Sequence, residues 1–519
     1  MTEQPTDGAT RRTDVVVIGG ALAGAAAATL LRRARPDLDV LVLERSPAFT
    51  RRVGESTVEV SAYFLGHVLG LTRSLNDRQL VKQGMRFWFA NRDVGSLAES
   101  SELGNLFQSR LPAYQVDRST LDEEVLAGAA AAGVEVWRPA AVREVALAPG
   151  GEQRVTVEAD GGETATIAAR WVIDASGHAA VIARSQGWWR HNAGHPIAAC
   201  WARWRGVKDW DGIELARRFP DWAAASFAIR GTATNHLTGD GWWAWLIPLR
   251  GGDVSVGVVY DERFVDWPAD GTPGERLKRF LVAHPVGREI MADAEWNERD
   301  VHHRRRLAYS STVYAGDGFA LVGDAAAFLD PLYSPGMDWL SYTVTAAVEL
   351  VLAERRGEPI AKLVEAHNRR FARSYREWFE AVYRDKYEYL GEFDLMRIAF
   401  TFDVGLYFLG VVSRPMEMGP KALVVPIFGN RATAPVALFM RAYNRRLAAI
   451  ARARRARTQL GRENRGRRHL LNGFTHRPGS TRPLVRALAQ WARIELREGW
   501  RAWRARGPGS LAEEVPGAG

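Results

Sequence analysis

The chain has 519 residues, 47% hydrophobic and 25% charged, long enough for two or three structural units with the make-up of an ordinary globular protein. Its single cysteine, Cys200, excludes a disulfide framework and a cysteine-based zinc or iron–sulfur centre, fits a reducing cytoplasm and leaves no metal site to expect. The formal net charge is +9. From Arg441 onward every lysine-or-arginine position is arginine, which reads as a solvated helical face or as a docking surface for an acidic carrier protein or anionic lipid. No recognition-helix or zinc pattern accompanies it, so no nucleic-acid partner is expected.

The amino terminus lacks the apolar run of a signal peptide. Residues 15–18 form a β-branched run, residues 19–24 a glycine turn, residues 25–33 a helical stretch and residues 41–43 a second apolar run that ends at Glu44. This is the strand–turn–helix–strand–acid order of a dinucleotide-binding unit. Backbone N–H groups of the turn and the helix start meet a pyrophosphate, and the acid, 20 residues beyond Gly24, takes a ribose hydroxyl. The site residues read here are Gly19, Gly20, Ala21, Ala23, Gly24, Glu44 and Arg45. Ala21 stands where the motif has its middle glycine, and its methyl narrows the phosphate approach. Further on, residues 171–173 lead into Asp174-Ala175-Ser176-Gly177 and residues 320–322 into Gly323-Asp324. Both are strands whose terminal aspartate suits a polyol hydroxyl.

In "DGWWAWLIPLR", residues 240–250, period two places Trp243, Trp245 and Ile247 on one face of a strand that Pro248 terminates. The adjacent His302 and His303 point to opposite sides of a strand and so do not share a metal. The apolar stretch 398–412 is interrupted by Asp403 and falls short of the roughly 20 residues of a membrane helix, so no transmembrane segment is expected. In the last helix, about residues 483–503, Val485, Leu488, Ala492, Leu496, Trp500 and Trp503 recur at helical spacing and are expected to face the core. Residues 506–519 read as a disordered tail.

The glycine turn, the segment after Trp171 and the segment around Asp324 resemble the FAD-binding stretches of p-hydroxybenzoate-hydroxylase-like flavoproteins, and Arg118 matches an arginine that such proteins place near the flavin. Within that group, Trp243-x-Trp245-x-Ile247-Pro248 resembles the W-x-W-x-I-P signature of flavin-dependent halogenases. "VGESTVEV" resembles their G-E-S/A-T stretch, with Glu55 and Ser56 beside the cofactor, and Lys82 falls on their lysine. The resemblance covers residues 14–347 and is closer to the phenol- and pyrrole-directed branch, because Tyr333 stands where the tryptophan-directed branch has a glutamate.

It implies an α/β fold: a doubly wound FAD domain, residues 13–80, 111–190 and 296–350, interleaved with a mixed-sheet substrate domain, residues 81–110 and 191–295. A helical lobe, residues 351–505, follows. It also implies a chemistry. FADH2 from a separate flavin reductase reacts with O2 to a flavin hydroperoxide, halide is oxidised to hypohalous acid, and Lys82 guides that acid to an electron-rich aromatic, free or carrier-tethered. The tryptophan face keeps flavin and substrate apart. The halide would sit at Ser334 and Gly336, with Met337 near the flavin, but Pro335 has no N–H to donate. One missing charge-assisted donor costs about 1.5–3 kcal/mol, a ten- to hundredfold loss of halide affinity. The alternatives are an FAD-dependent monooxygenase or dehydrogenase of the same fold that uses no halide, and a flavin-binding interaction protein.

Overall fold

The computed structural model describes residues 10–159, 162–226, 229–472 and 481–506. Residues 507–519, and with them almost all of the expected tail, lie outside the described residues.

The first sheet is built on five parallel strands in the order Phe319–Leu321, Thr164–Asp174, Thr10–Ile18, Val40–Leu43 and Glu135–Trp137. Their carboxyl ends are level. Ile18 pairs with Leu43 and with Asp174, Asp174 pairs with Leu321, and Leu43 pairs with Trp137. Five strands therefore release their chains at one edge, where open α/β sheets bind ligands. The strand cores are buried on both faces, as parallel strands under helices must be. Helix Leu22–Ala34 packs between helices Arg118–Ala131 and Gly336–Arg355. Its poly-alanine face is buried and lets the helix lie close to the sheet.

The second sheet runs Glu295–Trp296, Ile197–Arg205, Val254–Asp261, Trp242–Pro248, Thr234–Gly239, Met85–Phe89, Ser101–Asn105 and Arg468–Leu471. It is mixed, with parallel pairs at Thr234–Gly239/Met85–Phe89 and Ser101–Asn105/Arg468–Leu471. Two strands reach it from beyond the inserted stretch of chain. His302–Arg304 pairs with Ile197–Arg205, and Arg468–Leu471 returns from the helical lobe to close the edge.

Period two sorts the tryptophan strand between two cores. Trp243, Trp245 and Ile247 pack into the large core shared with the nucleotide sheet and the helical lobe. Trp242, Ala244 and Leu246 pack into a second core under the outer face of the sheet. Pro248 is the strand's last residue, where its missing N–H costs no central ladder bond.

In the lobe, helix Phe393–Tyr407 continues through a π-turn, Phe408–Val412, into Ser413–Met418. The run of 26 residues is longer than the apolar stretch read from the sequence, and by length and composition it is long enough to cross a membrane. Of its most apolar window 61% is buried inside the protein, which accounts for the composition. The last helix, Thr481–Arg506, turns the other way from expectation: Val485, Leu488, Leu496 and Trp500 are exposed, while Ala487, Ile494 and Glu498 are buried. Its inner edge is mixed: Arg454 binds Glu498 at 3.1 Å and Arg497 binds Asp394 at 2.8 Å, while Ile494 and Ala487 sit in the core and Trp491 packs on Phe402 and Phe439.

Candidate active site

At the level edge of the parallel sheet the glycine turn is shaped by backbone crowding. A Cβ on Gly24 would lie 1.9 Å from the Gly19 carbonyl oxygen, and one on Gly19, where φ is +96°, would lie 2.7 Å from the Ala175 oxygen. The helix starts at Leu22 with Ala21 as its cap and no side-chain cap bond. Ala21 and Ala23 are half-buried, so the Ala21 methyl trims the approach without filling it. Glu44 is buried and accepts the Gly20 N–H at 2.8 Å and the Ser46 N–H at 2.9 Å. Arg45 beside it is exposed, near Arg52.

Arg118 opens its helix, pairs with Asp122 at 3.0 Å and comes so close to Gly54 that a Cβ there would meet its guanidinium at 2.7 Å. Asp324 is open to solvent yet walled by protein. Burial raises its carboxyl to about 6, while Arg118 and Arg304 pull it down. Asp174, by contrast, spends both oxygens inside the fold, on the N–H groups of Ser176 at 3.0 Å and Ile182 at 2.8 Å. The glycine turn gives the Leu22 N–H at its helix start to Asp122 at 3.3 Å, and its border of Glu44, Arg45, Arg118 and Asp324 suits the polar half of FAD.

Two residues read as cofactor contacts have their side chains engaged elsewhere. Glu55 is buried and takes Arg203 from the second sheet at 2.6 Å. Ser56 is buried between Thr234, at 3.1 Å, and Lys82. Lys82 is 1% exposed and donates to the Ser56 hydroxyl at 2.8 Å and to the Thr57 carbonyl at 2.9 Å. Burial brings its ammonium down to about 8, against the opposing pull of Glu59 and Asp338.

Lys82 lines a cavity of about 200 Å³ between the two sheets and the helical lobe. Most of its wall is apolar, from Met85, Leu111, Val382, Phe400, Phe408 and Met440 among others. Its carboxylates are Glu59, Asp338 and Asp403.

The loop before helix Gly336–Arg355 bends sharply. Tyr333 and Ser334 are both left-handed, at φ +71° and +58°, and the Ser334 N–H is already given to the Pro331 carbonyl at 2.9 Å. Pro335 lines the cavity and caps the helix, Gly336 is exposed, and Met337 is buried in the core. Of the halide donors named from the sequence, Gly336 is the one left with an exposed backbone.

Trp243 and Trp245 lie side by side, ring centres 5.9 Å apart, and neither lines the Lys82 cavity. His236, stacked on Phe87 at 4.4 Å, lies 5.6 Å from Trp243, and burial lowers it to about 3. Two polar clusters had no signal in the sequence. In one, Trp243 donates to Tyr387 at 2.9 Å, Tyr387 donates to Asp330 at 2.9 Å, and His195 meets the same oxygen at 2.7 Å. In the other, Asp403 accepts Tyr333 at 3.0 Å, Lys386 at 2.7 Å and Tyr443. The bonds of the first join residues 57 to 144 positions apart and those of the second 17 to 70, and no local pattern marks them. His178 sits in a 3-10 turn with its ring against Tyr309.

Two family models match in succession: "FAD dependent oxidoreductase" over residues 14–236 and "Tryptophan halogenase" over residues 221–385. The chain is 27% identical over 369 residues to the flavin-dependent halogenase armH5 of Armillaria mellea, covering 68% of this chain and 67% of that protein. It is 29% identical over 373 residues to the sulochrin halogenase gedL of Aspergillus terreus, covering 67% and 64%. The matched stretch thus spans about two thirds of these curated relatives. Among solved structures, the halogenase PltM in complex with phloroglucinol and FAD superposes with a TM-score of 0.69 at 17% identity, covering 93% of this chain and 98% of that one. At that identity the superposition speaks for the fold. The nucleotide end and the tryptophan strand fall within the two successive matches, and with its relatives they show an FAD-dependent oxidoreductase that is similar, over about two thirds of its length, to flavin-dependent halogenases.

Proposed function

We propose that the protein chlorinates or brominates an electron-rich aromatic, a phenol or a pyrrole, and that Lys82 receives the hypohalous acid and presents it to the substrate. The observation that carries the reading is the position of Lys82: a buried ammonium in the wall of an apolar cavity to which the tryptophan pair does not contribute. Bound reduced FAD, renewed by a separate flavin reductase, supplies the O2-derived oxidant for halide. Trp243, Trp245 and Ile247 exclude water and hold the cofactor side apart from the cavity. Ser56 and the Thr57 carbonyl fix two of the three ammonium donors, leaving the third for the oxidant. The apolar wall, with Phe400 and Phe408, suits an aromatic ring.

One specific observation favours a second reading, hydroxylation or dehydrogenation without halide: the proline at position 335, where a backbone donor to halide is expected. Purified protein supplied with FAD, a flavin reductase, O2, and chloride or bromide, and given phenols including phloroglucinol alongside pyrroles, separates the two. Halogenated product that requires added halide supports halogenation. A gain of one oxygen or a loss of two hydrogens without halide supports the second reading.

A further inference from the structure

Two of the three carboxylates on the Lys82 cavity are saturated by the fold. Asp338 accepts the Ser61 N–H at 2.9 Å on one oxygen and the Tyr407 hydroxyl at 2.9 Å on the other. Asp403 is taken by Tyr333, Lys386 and Tyr443. Glu59 differs. It opens the short helix Glu59–Tyr63 and lines the same cavity, and its carboxylate meets its own backbone N–H but no other described side chain, which leaves an oxygen to act. The local chain places it beside the lysine. Thr57, two residues earlier, holds the Lys82 ammonium on its carbonyl at 2.9 Å. Burial raises the Glu59 carboxyl and Lys82 draws it down. The charged or titratable groups that face it are Lys82, Asp338 and Tyr407.

Aromatic halogenation has to dispose of one proton. A ring carbon takes the halogen from HO–X, and the O–X electron pair leaves with oxygen as hydroxide. The same carbon then loses its proton, so that Ar–H and HOX become Ar–X and water. In an apolar cavity, bulk water is a poor partner for that last step, whereas a carboxylate with a free oxygen is a competent one.

We propose that Glu59 is the catalytic base for this step: its carboxylate takes the proton from the halogenated ring carbon and returns it to the departing hydroxide, with the Lys82 ammonium alongside. The proposal rests on the halogenase reading above.

The test is a rate comparison on the holoenzyme, using a phenol that the parent halogenates and the same phenol deuterated at the reacting carbon. Glu59→Gln is expected to lower kcat about a hundredfold or more with little change in KM, as loss of a general base does. The deuterium effect on kcat should rise from near unity to about 2 or more, because removal of the ring proton becomes limiting. Glu59→Asp should recover part of the rate. FAD content and melting temperature verify folding; should Glu59→Gln fail to fold, Glu59→Asp carries the same isotope readout. A Glu59→Gln enzyme that works within a few-fold of the parent, or one that is slow with no deuterium effect, overturns the assignment while leaving the halogenase reading intact. A parent that forms no halogenated product overturns both.

Discussion

The indole N–H of Trp243 donates to the Tyr387 hydroxyl at 2.9 Å, so this tryptophan of the second sheet is fastened to the helical lobe. Tyr387 passes the bond on to Asp330, which His195 also meets at 2.7 Å. All four side chains are buried. Tyr387→Phe keeps the ring and leaves an indole donor and a carboxylate oxygen each one bond short. We expect a loss of about 1–3 kcal/mol, the usual penalty for stranded buried polar groups, seen as a lower unfolding midpoint with FAD still bound. An unchanged midpoint would mean that the bond contributes nothing to holding the lobe.

Lys82 gives the pH dependence. Burial lowers its ammonium to about 8, from an ordinary value near 10.5. A lysine that must be protonated to hold hypohalous acid works below that value and fails above it. Product formation should therefore decline as pH rises through about 8, while flavin reoxidation continues. Linkage has its own sign: between about 8 and 10.5 the unfolded chain binds the proton that the folded one has released, so the penalty this buried group places on the folded state shrinks as pH rises there. A product rate that stays level well above pH 8 would show that the charged lysine is not required.

Pro335→Ala should restore a backbone N–H at the start of helix Gly336–Arg355. Its φ of −76° and ψ of −13° are open to alanine without strain. One recovered charge-assisted donor, worth about 1.5–3 kcal/mol, should lower the halide concentration needed for half-maximal rate by ten- to a hundredfold. If halide dependence is the same in both proteins, the anion does not sit at this loop.

Gly24→Val tests the nucleotide end. The new Cβ would lie 1.9 Å from the Gly19 carbonyl oxygen, backbone against backbone, and the turn would have to open. The purified variant should lose most of its flavin absorbance. Full retention of FAD would place the cofactor elsewhere.

The parallel sheet was legible because its signals are local: an apolar run, a glycine turn and an acid at fixed spacing, ending on strands that the fold levels at Ile18, Leu43 and Asp174. The tryptophan face was legible because period two alone sorts side chains onto opposite faces of a strand. What escaped the sequence is set by distant partners. The stretch around Glu55 and Ser56 has the look of a flavin-side motif, but Arg203 and Lys82 claim their side chains. Asp174 has the look of a ligand aspartate, but its own loop uses both oxygens. The last helix presents its apolar stripe outward, while Arg454 and Asp394, more than forty residues upstream, hold its other edge. Asp403 interrupts an apolar run in the sequence, and only the fold supplies the lysine and two tyrosines that make its charge tolerable.

On the proposed mechanism, oxidised halide reaches the aromatic substrate by way of Lys82. The most direct test follows brominated product by mass, as its paired bromine isotopes, in the parent and in Lys82→Ala under identical flavin and O2 supply. The prediction is a bromide-dependent doublet in the parent that vanishes in the variant, with flavin oxidation persisting in both. A variant that brominates at the parent's rate would contradict the claim.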